Sequence, residues 1–166
     1  RPRFDRSLRA FLDQKQAGLS AYATDPLISE WLREGERLVF AGGKRVRPLM
    51  LWMGYRLGGG IDEEVVLRAA VSLELFHLFA LVHDDIMDGG LERHGVPTPH
   101  AYIAHRLTEL ARRGDAQTVA RSQAIIVGDL LFSWSLEALT TAGFPSDRLA
   151  AALKVFPSRR GRFITV

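Results

Sequence analysis

The feature that most restricts the fold is one long apolar stretch, Asp62 to Asp88. In it Val65, Val66, Ala69, Ala70, Leu73, Phe76, Ala80 and Leu81 recur at helical spacing. Apolar almost all round, such a helix needs other elements to cover it, so the pattern predicts a central, buried position. The stretch ends in Asp84, Asp85 and Asp88, followed at once by Gly89 and Gly90. Asp84 and Asp88 stand one helical turn apart and share a face. Carboxylates so close repel one another, and at a helix C-terminus they also oppose the macrodipole. A hard divalent cation relieves both strains. Mg²⁺ typically takes one or two carboxylates and completes its shell with water and phosphate oxygens.

The rest of the chain reads as further helices. Phe4 to Tyr22 carries an apolar stripe (Leu8, Phe11, Leu12, Leu19). Asp25-Pro26 starts a second helix running through Trp31, Leu32, Leu38 and Val39, which Ala41-Gly42-Gly43 breaks. Pro48 opens a third, Leu49 to Leu57, ended by the glycines at 58 to 60. His100 to Arg113, Ala116 to Ala142, and Leu149 onward follow, the last with no stop signal before Val166. With no alternating strand pattern, internal repeat or low-complexity tract, the expected class is all-α.

Composition narrows the function. The 166 residues suffice for one domain with a real core. The lack of cysteine excludes disulfides and thiolate metal sites. The net charge of +3 is mild and its arginines are dispersed, save Arg159, Arg160 and Arg162, read as a solvated face. Nucleic acid is not indicated; anionic small molecules are the better match. The apolar runs fall short of the roughly 18–20 residues a transmembrane segment needs, so a cytoplasmic protein is expected. Trp31, Trp52 and Trp134 read as core or subunit-interface residues, and Met50, Met53 and Met87 as packing residues.

A second polar cluster, Gly42-Gly43-Lys44-Arg45-Val46-Arg47-Pro48, precedes a helix. Its glycines allow close backbone approach, and the helix N-terminus adds dipole and free N–H groups. Lysine as a point charge beside an arginine fork suits a diphosphate. The spacing is not that of a Walker loop.

Together GGKRVRP, ELFHLFALVHDDIMD, the Arg93-x-Gly-x-Pro-Thr-x-His100 segment and GDLLF resemble the trans-isoprenyl diphosphate synthases (polyprenyl synthases). The resemblance implies an isoprenoid-synthase-type helical bundle around a central apolar cavity. It implies that Lys44, Arg47 and His77 bind the diphosphate of isopentenyl diphosphate, with Arg45 nearby. Asp84 and Asp88 would hold Mg²⁺ bridging to an allylic diphosphate, Asp85 would support them, and Arg93 would contact that diphosphate. Phe79 and Ala80, the fifth and fourth residues before the first aspartate, would floor the cavity and imply a C15 to C20 product. A helical wheel puts Ala80 near the Asp84 face and Phe79 well off it. Gly128 and Asp129 belong to a helix that in the family pairs across a homodimer.

Two departures stand out. His94 occupies the position of the family's second arginine, which binds isopentenyl diphosphate. The second aspartate-rich motif, with its flanking lysine and glutamine, is absent, so residues 1–166 are expected to be the N-terminal half of a longer enzyme. Three rival readings remain at this level: a class I terpene cyclase, a non-catalytic partner subunit of a prenyl synthase, and, from His77 with His83-Asp84, a metal phosphohydrolase of the His-Asp type.

Overall fold

The computed structural model describes residues 1–20 and 26–158. It is built on α4 (Glu63–Asp88), the element the apolar pattern singled out. Around it stand α1 (Pro2–Ser20), α2 (Pro26–Ala41), α3 (Val46–Leu57), α5 (Pro99–Glu109), α6 (Ala116–Thr140) and α7 (Ser146–Ser158). Tyr22, Asp25, the side chains of Trp31 and Leu32, and the arginines at 159, 160 and 162 lie outside the described residues.

The Asp62 carboxylate accepts from the Val65 amide at 3.1 Å, and Glu63 and Glu64 occupy the first turn, where the dipole favours them. At the other end Gly89 adopts φ 67°, a left-handed stop that stays open to glycine at little cost. Between these ends α4 packs most extensively on α6, then on α3 and α1. Ala120, Ala124 and Gly128 follow one another a turn apart on α6 and are buried, which lets the two long helices approach closely. Leu8 of α1, Leu75 of α4 and Ile103 of α5 fill the core with no measurable exposure. Truncating either leucine to alanine would cost about 2–5 kcal/mol.

The structure departs from the sequence expectations at several points. By length and composition α4 is long enough to cross a membrane, its best window having a mean hydropathy of 1.9, contrary to the reading that no run reached that length. More than half of that window is buried against its neighbours, as in a core helix. A short antiparallel hairpin, β1 (Glu92–Arg93) paired with β2 (Val96–Pro97), stands where only a loop was expected. Strands this short leave no alternation to detect; the visible cue is His94-Gly95, which takes positive φ at both loop positions in the pattern of a type I′ turn. α3 begins at Val46, placing Pro48 in its first turn rather than at its start, and α5 stops at Glu109, where Ala111 turns left-handed. Trp134 is buried as expected, but Met50, Met53 and Met87 are exposed.

Candidate active site

His77 and Asp84 are seven residues apart on α4, which sets them about 10 Å apart along its axis. They mark two rims of one helix face, one cationic and one carboxylate.

The cationic rim is a cavity of about 180 Å³ whose lining includes Gly42, Gly43, Lys44, Arg47, Glu74, His77, Leu81 and His94. Lys44 and Arg47 are exposed and form no ion pair with any described residue. The hairpin carries His94 against the loop so closely that a Cβ on Gly42 would stand 3.3 Å from its Cγ. This is the close approach expected of the glycine pair, made by a side chain of the chain itself. Burial, reinforced by Arg47, Arg93 and His94, pushes the His77 imidazole down to about 4. It is therefore neutral near pH 7 and acts as a hydrogen-bonding group among cations. Lys44, Arg47, His77 and His94 all line this one cavity.

Arg45 also lines this cavity, but its donors are turned into the protein. Its side chain is buried, donating to Glu74 Oε1 at 2.5 Å, Asp5 Oδ1 at 3.1 Å and the Val39 carbonyl at 2.8 Å. Its backbone is left-handed (φ 52°), which costs a non-glycine residue about 1 kcal/mol or more. Arg45, which the resemblance put near the substrate, thus lines the cavity with its donors committed to the fold. A sequence signal existed in Glu74, a lone carboxylate inside an apolar helix, which calls for a buried partner.

The carboxylate rim divides in the same way. Asp84 and Asp88 are exposed, while Asp85 is buried at 3% exposure. The hairpin folds Arg93 back onto the helix end. Its Nε lies 3.0 and 3.2 Å from the two Asp85 oxygens and its Nη2 lies 2.6 Å from Oδ1, with Asp84 Oδ2 3.5 Å away. A helix end with no basic residue of its own acquires a cation from eight positions downstream. Asp85, expected to support Asp84 and Asp88, holds Arg93. Under the hairpin, Thr98 donates to the Gly90 carbonyl at 2.8 Å, so its oxygen accepts from buried His100 Nδ1 at 3.3 Å.

Among the described residues no group of three or more histidines, aspartates or glutamates could hold a metal ion. Asp84 and Asp88, exposed on one face, could serve a cation that takes two carboxylates and fills its shell with water and phosphate. A three-residue protein cage is not formed. His83 is turned from the aspartates toward α6. Its Nδ1 lies 3.0 Å from the Phe79 carbonyl and its Nε2 3.7 Å from Asp129, and its ring fills the space a Cβ on Gly128 would take. The phosphohydrolase reading loses its ligand there. Phe79 packs edge-on to His83 and against Phe76 and Phe132, whereas Ala80 is exposed on the face of Asp84.

The polyprenyl synthetase family model matches residues 29–159. The chain is similar to a short chain isoprenyl diphosphate synthase of Methanocaldococcus jannaschii, 39% identical over 63% of this chain and 27% of that one. It is also similar to heptaprenyl diphosphate synthase component 2 of Geobacillus stearothermophilus, 31% identical over 94% of this chain and 44% of that one. A crystal structure of geranylgeranyl pyrophosphate synthase from Corynebacterium glutamicum, complexed with isoprenyl diphosphate and magnesium, superposes with a TM-score of 0.84 at 29% identity. It covers 95% of this chain and 45% of that one. The chain thus spans less than half the length of each of these proteins.

Proposed function

Because the chain belongs to the polyprenyl synthetase family, we propose that it is the substrate-facing N-terminal part of a prenyltransferase. The reaction joins isopentenyl diphosphate to an allylic diphosphate, giving a C15 to C20 trans-prenyl diphosphate and pyrophosphate. The observation that carries this reading is the pair of rims on one face of α4, a diphosphate-sized cationic cavity about two turns from paired carboxylates.

Lys44 and Arg47 offer a point charge and a fork to the diphosphate of isopentenyl diphosphate, and neutral His77 donates a hydrogen bond. Asp84 and Asp88 would hold Mg²⁺, which when bound neutralises charge on the leaving diphosphate. Arg93, fixed by Asp85 through Nε and Nη2, presents Nη1 to the allylic diphosphate. Heterolysis of the allylic C–O bond sends its electron pair to the departing pyrophosphate. The alkene of isopentenyl diphosphate forms the new C–C bond at the allylic carbon, and a proton leaves to pyrophosphate. No side-chain nucleophile is required, and preorganised cations meet the charge that develops. Small Ala80, exposed on the face of Asp84, supports room for a short prenyl tail there, while Phe79 packs toward α6. A cytoplasmic homodimer completes the proposal, supported by exposed Ile125 and Ile126 on α6.

A second reading, a non-catalytic partner subunit, is favoured by His94 in place of the family's arginine and by the likeness to a two-component enzyme. The cyclase reading gives Lys44 and Arg47 no purpose. The test is full-length protein with Mg²⁺, isopentenyl diphosphate and C5, C10 or C15 primers, read by mass spectrometry. The expected result is a lengthened prenyl diphosphate. A cyclised hydrocarbon would overturn the synthase assignment, and pyrophosphate binding without turnover would establish the partner subunit.

A further inference from the structure

Three interactions, two of them buried, converge on Arg45 from different parts of the chain: half-buried Asp5 on α1, the Val39 carbonyl on α2 and Glu74 on α4. The Arg45 and Glu74 side chains are 7% and 10% exposed, so water competes little for this pair. The guanidinium also lies 5.9 Å from the centre of the Phe40 ring, and its Nη1 would be 3.3 Å from a Cβ on Gly43. The loop backbone and the arginine are thus packed against each other. Arg45 is in addition the residue from which α3 starts, its carbonyl accepting from the Leu49 amide at 3.1 Å.

This anchor has a defined position relative to the site. Glu74 precedes His77 by three residues on α4, on neighbouring turns of one face. Lys44 and Arg47 flank Arg45 at one and two residues. A tether from Arg45 to Glu74 therefore sets the spacing of two exposed, flexible cations against His77.

We propose that Arg45 and Glu74 are positioning residues for the isopentenyl diphosphate site, their mutual pair in the cavity wall fixing Lys44 and Arg47 opposite His77. The inference rests on the diphosphate reading above. The fork geometry matters: three acceptors on three elements need directed donors, which a lysine nitrogen cannot supply from one point. Electrostatics points the same way, because pairing with Arg45 cancels the Glu74 charge that would otherwise repel a diphosphate in the same cavity.

The test uses full-length enzyme with Glu74→Gln, Arg45→Gln, Arg45→Lys, the Arg45→Gln/Glu74→Gln double variant, and Leu8→Ala as a control for lost stability. Glu74→Gln and Arg45→Gln should raise KM for isopentenyl diphosphate about ten- to a hundredfold, with the allylic KM unchanged. Arg45→Lys should recover only part of this, and the double variant should be scarcely worse than either single change because the residues act as a unit. Leu8→Ala should lower the melting temperature with neither KM moved. Additive effects, equal shifts in both KM values, or the Leu8→Ala pattern would overturn the proposal. Should Arg45→Gln fail to fold, Glu74→Gln, which keeps the side chain's shape, decides the matter. Calorimetry with inorganic pyrophosphate and no metal separates the two levels. Turnover lost in wild type with pyrophosphate still bound overturns the synthase reading alone, and weaker pyrophosphate binding by Glu74→Gln then still supports the positioning pair. No pyrophosphate binding by wild type overturns both.

Discussion

The cationic and carboxylate rims are built alike and present opposite charge. In each, adjacent motif residues divide: Lys44 and Arg47 face outward while Arg45 turns in to Glu74, and Asp84 and Asp88 face outward while Asp85 turns in to Arg93. The difference lies in how the inner member is held. Arg45 is sealed by three elements, whereas Arg93 arrives on a two-residue hairpin and remains 27% exposed. The cationic rim is therefore a preset cavity, and the carboxylate rim is an open edge whose arginine rides on a short turn. Membership of a motif does not assign a role; the direction of the side chain does.

The strongest test of the division is to remove the outward carboxylates. In full-length enzyme Asp84→Asn and Asp88→Asn should each lower kcat about 10³-fold, leaving metal-free pyrophosphate binding at the other rim intact. If pyrophosphate binding fell as well, the rims would not be separate sites. Next comes the inner carboxylate: Asp85→Asn should reduce kcat about 10- to 100-fold by releasing Arg93. Its stability cost should be about 1–3 kcal/mol, below that of a sealed pair because Arg93 is partly solvated. Full activity in this variant would show that Arg93 is oriented by something other than Asp85.

Gly128→Ala sharpens the claim that His83 serves the α4–α6 contact rather than the carboxylate rim. The added Cβ would stand 2.3 Å from His83 Cε1. The overpacking should outweigh the gain in helix propensity, for a net loss of about 1–2 kcal/mol by denaturant titration with little change in KM. A stabilised variant would mean that His83 has another place to go.

The smallest effect is a pH dependence confined to the cationic rim. His77 sits at about 4 in the fold against 6.5 for an exposed histidine, so the unfolded chain binds the extra proton first. Stability should therefore decline as pH falls from about 6.5 toward 4, and His77→Gln should flatten that limb. Bound pyrophosphate favours the protonated ring, so an NMR titration of His77 should move its midpoint upward when pyrophosphate is added. A midpoint indifferent to pyrophosphate would remove His77 from the diphosphate site.

Much of this was legible in the residues. The period of Val65 through Leu81, the Asp62 cap and the Gly89 stop marked α4 almost to the residue. The dipole argument pointed to a divalent cation at the aspartates, and among side chains it is Arg93 that comes to Asp85. Lys44, Arg47 and His77 were recognisable through their motifs, since those motifs are short and local. What could not be read was long in range or short in extent: the His94-Gly95 hairpin, too brief for periodicity, and the partners of Arg45, which lie 40 residues back at Asp5 and 29 ahead at Glu74.

By itself the sequence determined the helices, the central place of α4 and the residue types of both rims, because propensity, capping and amphipathic period act within a few turns. Only the tertiary structure decided which charges face outward. Burial makes an unpaired charge costly, so Arg45 and Asp85 were drawn to Glu74 and Arg93. Their neighbours Lys44, Arg47, Asp84 and Asp88 were left at the surface.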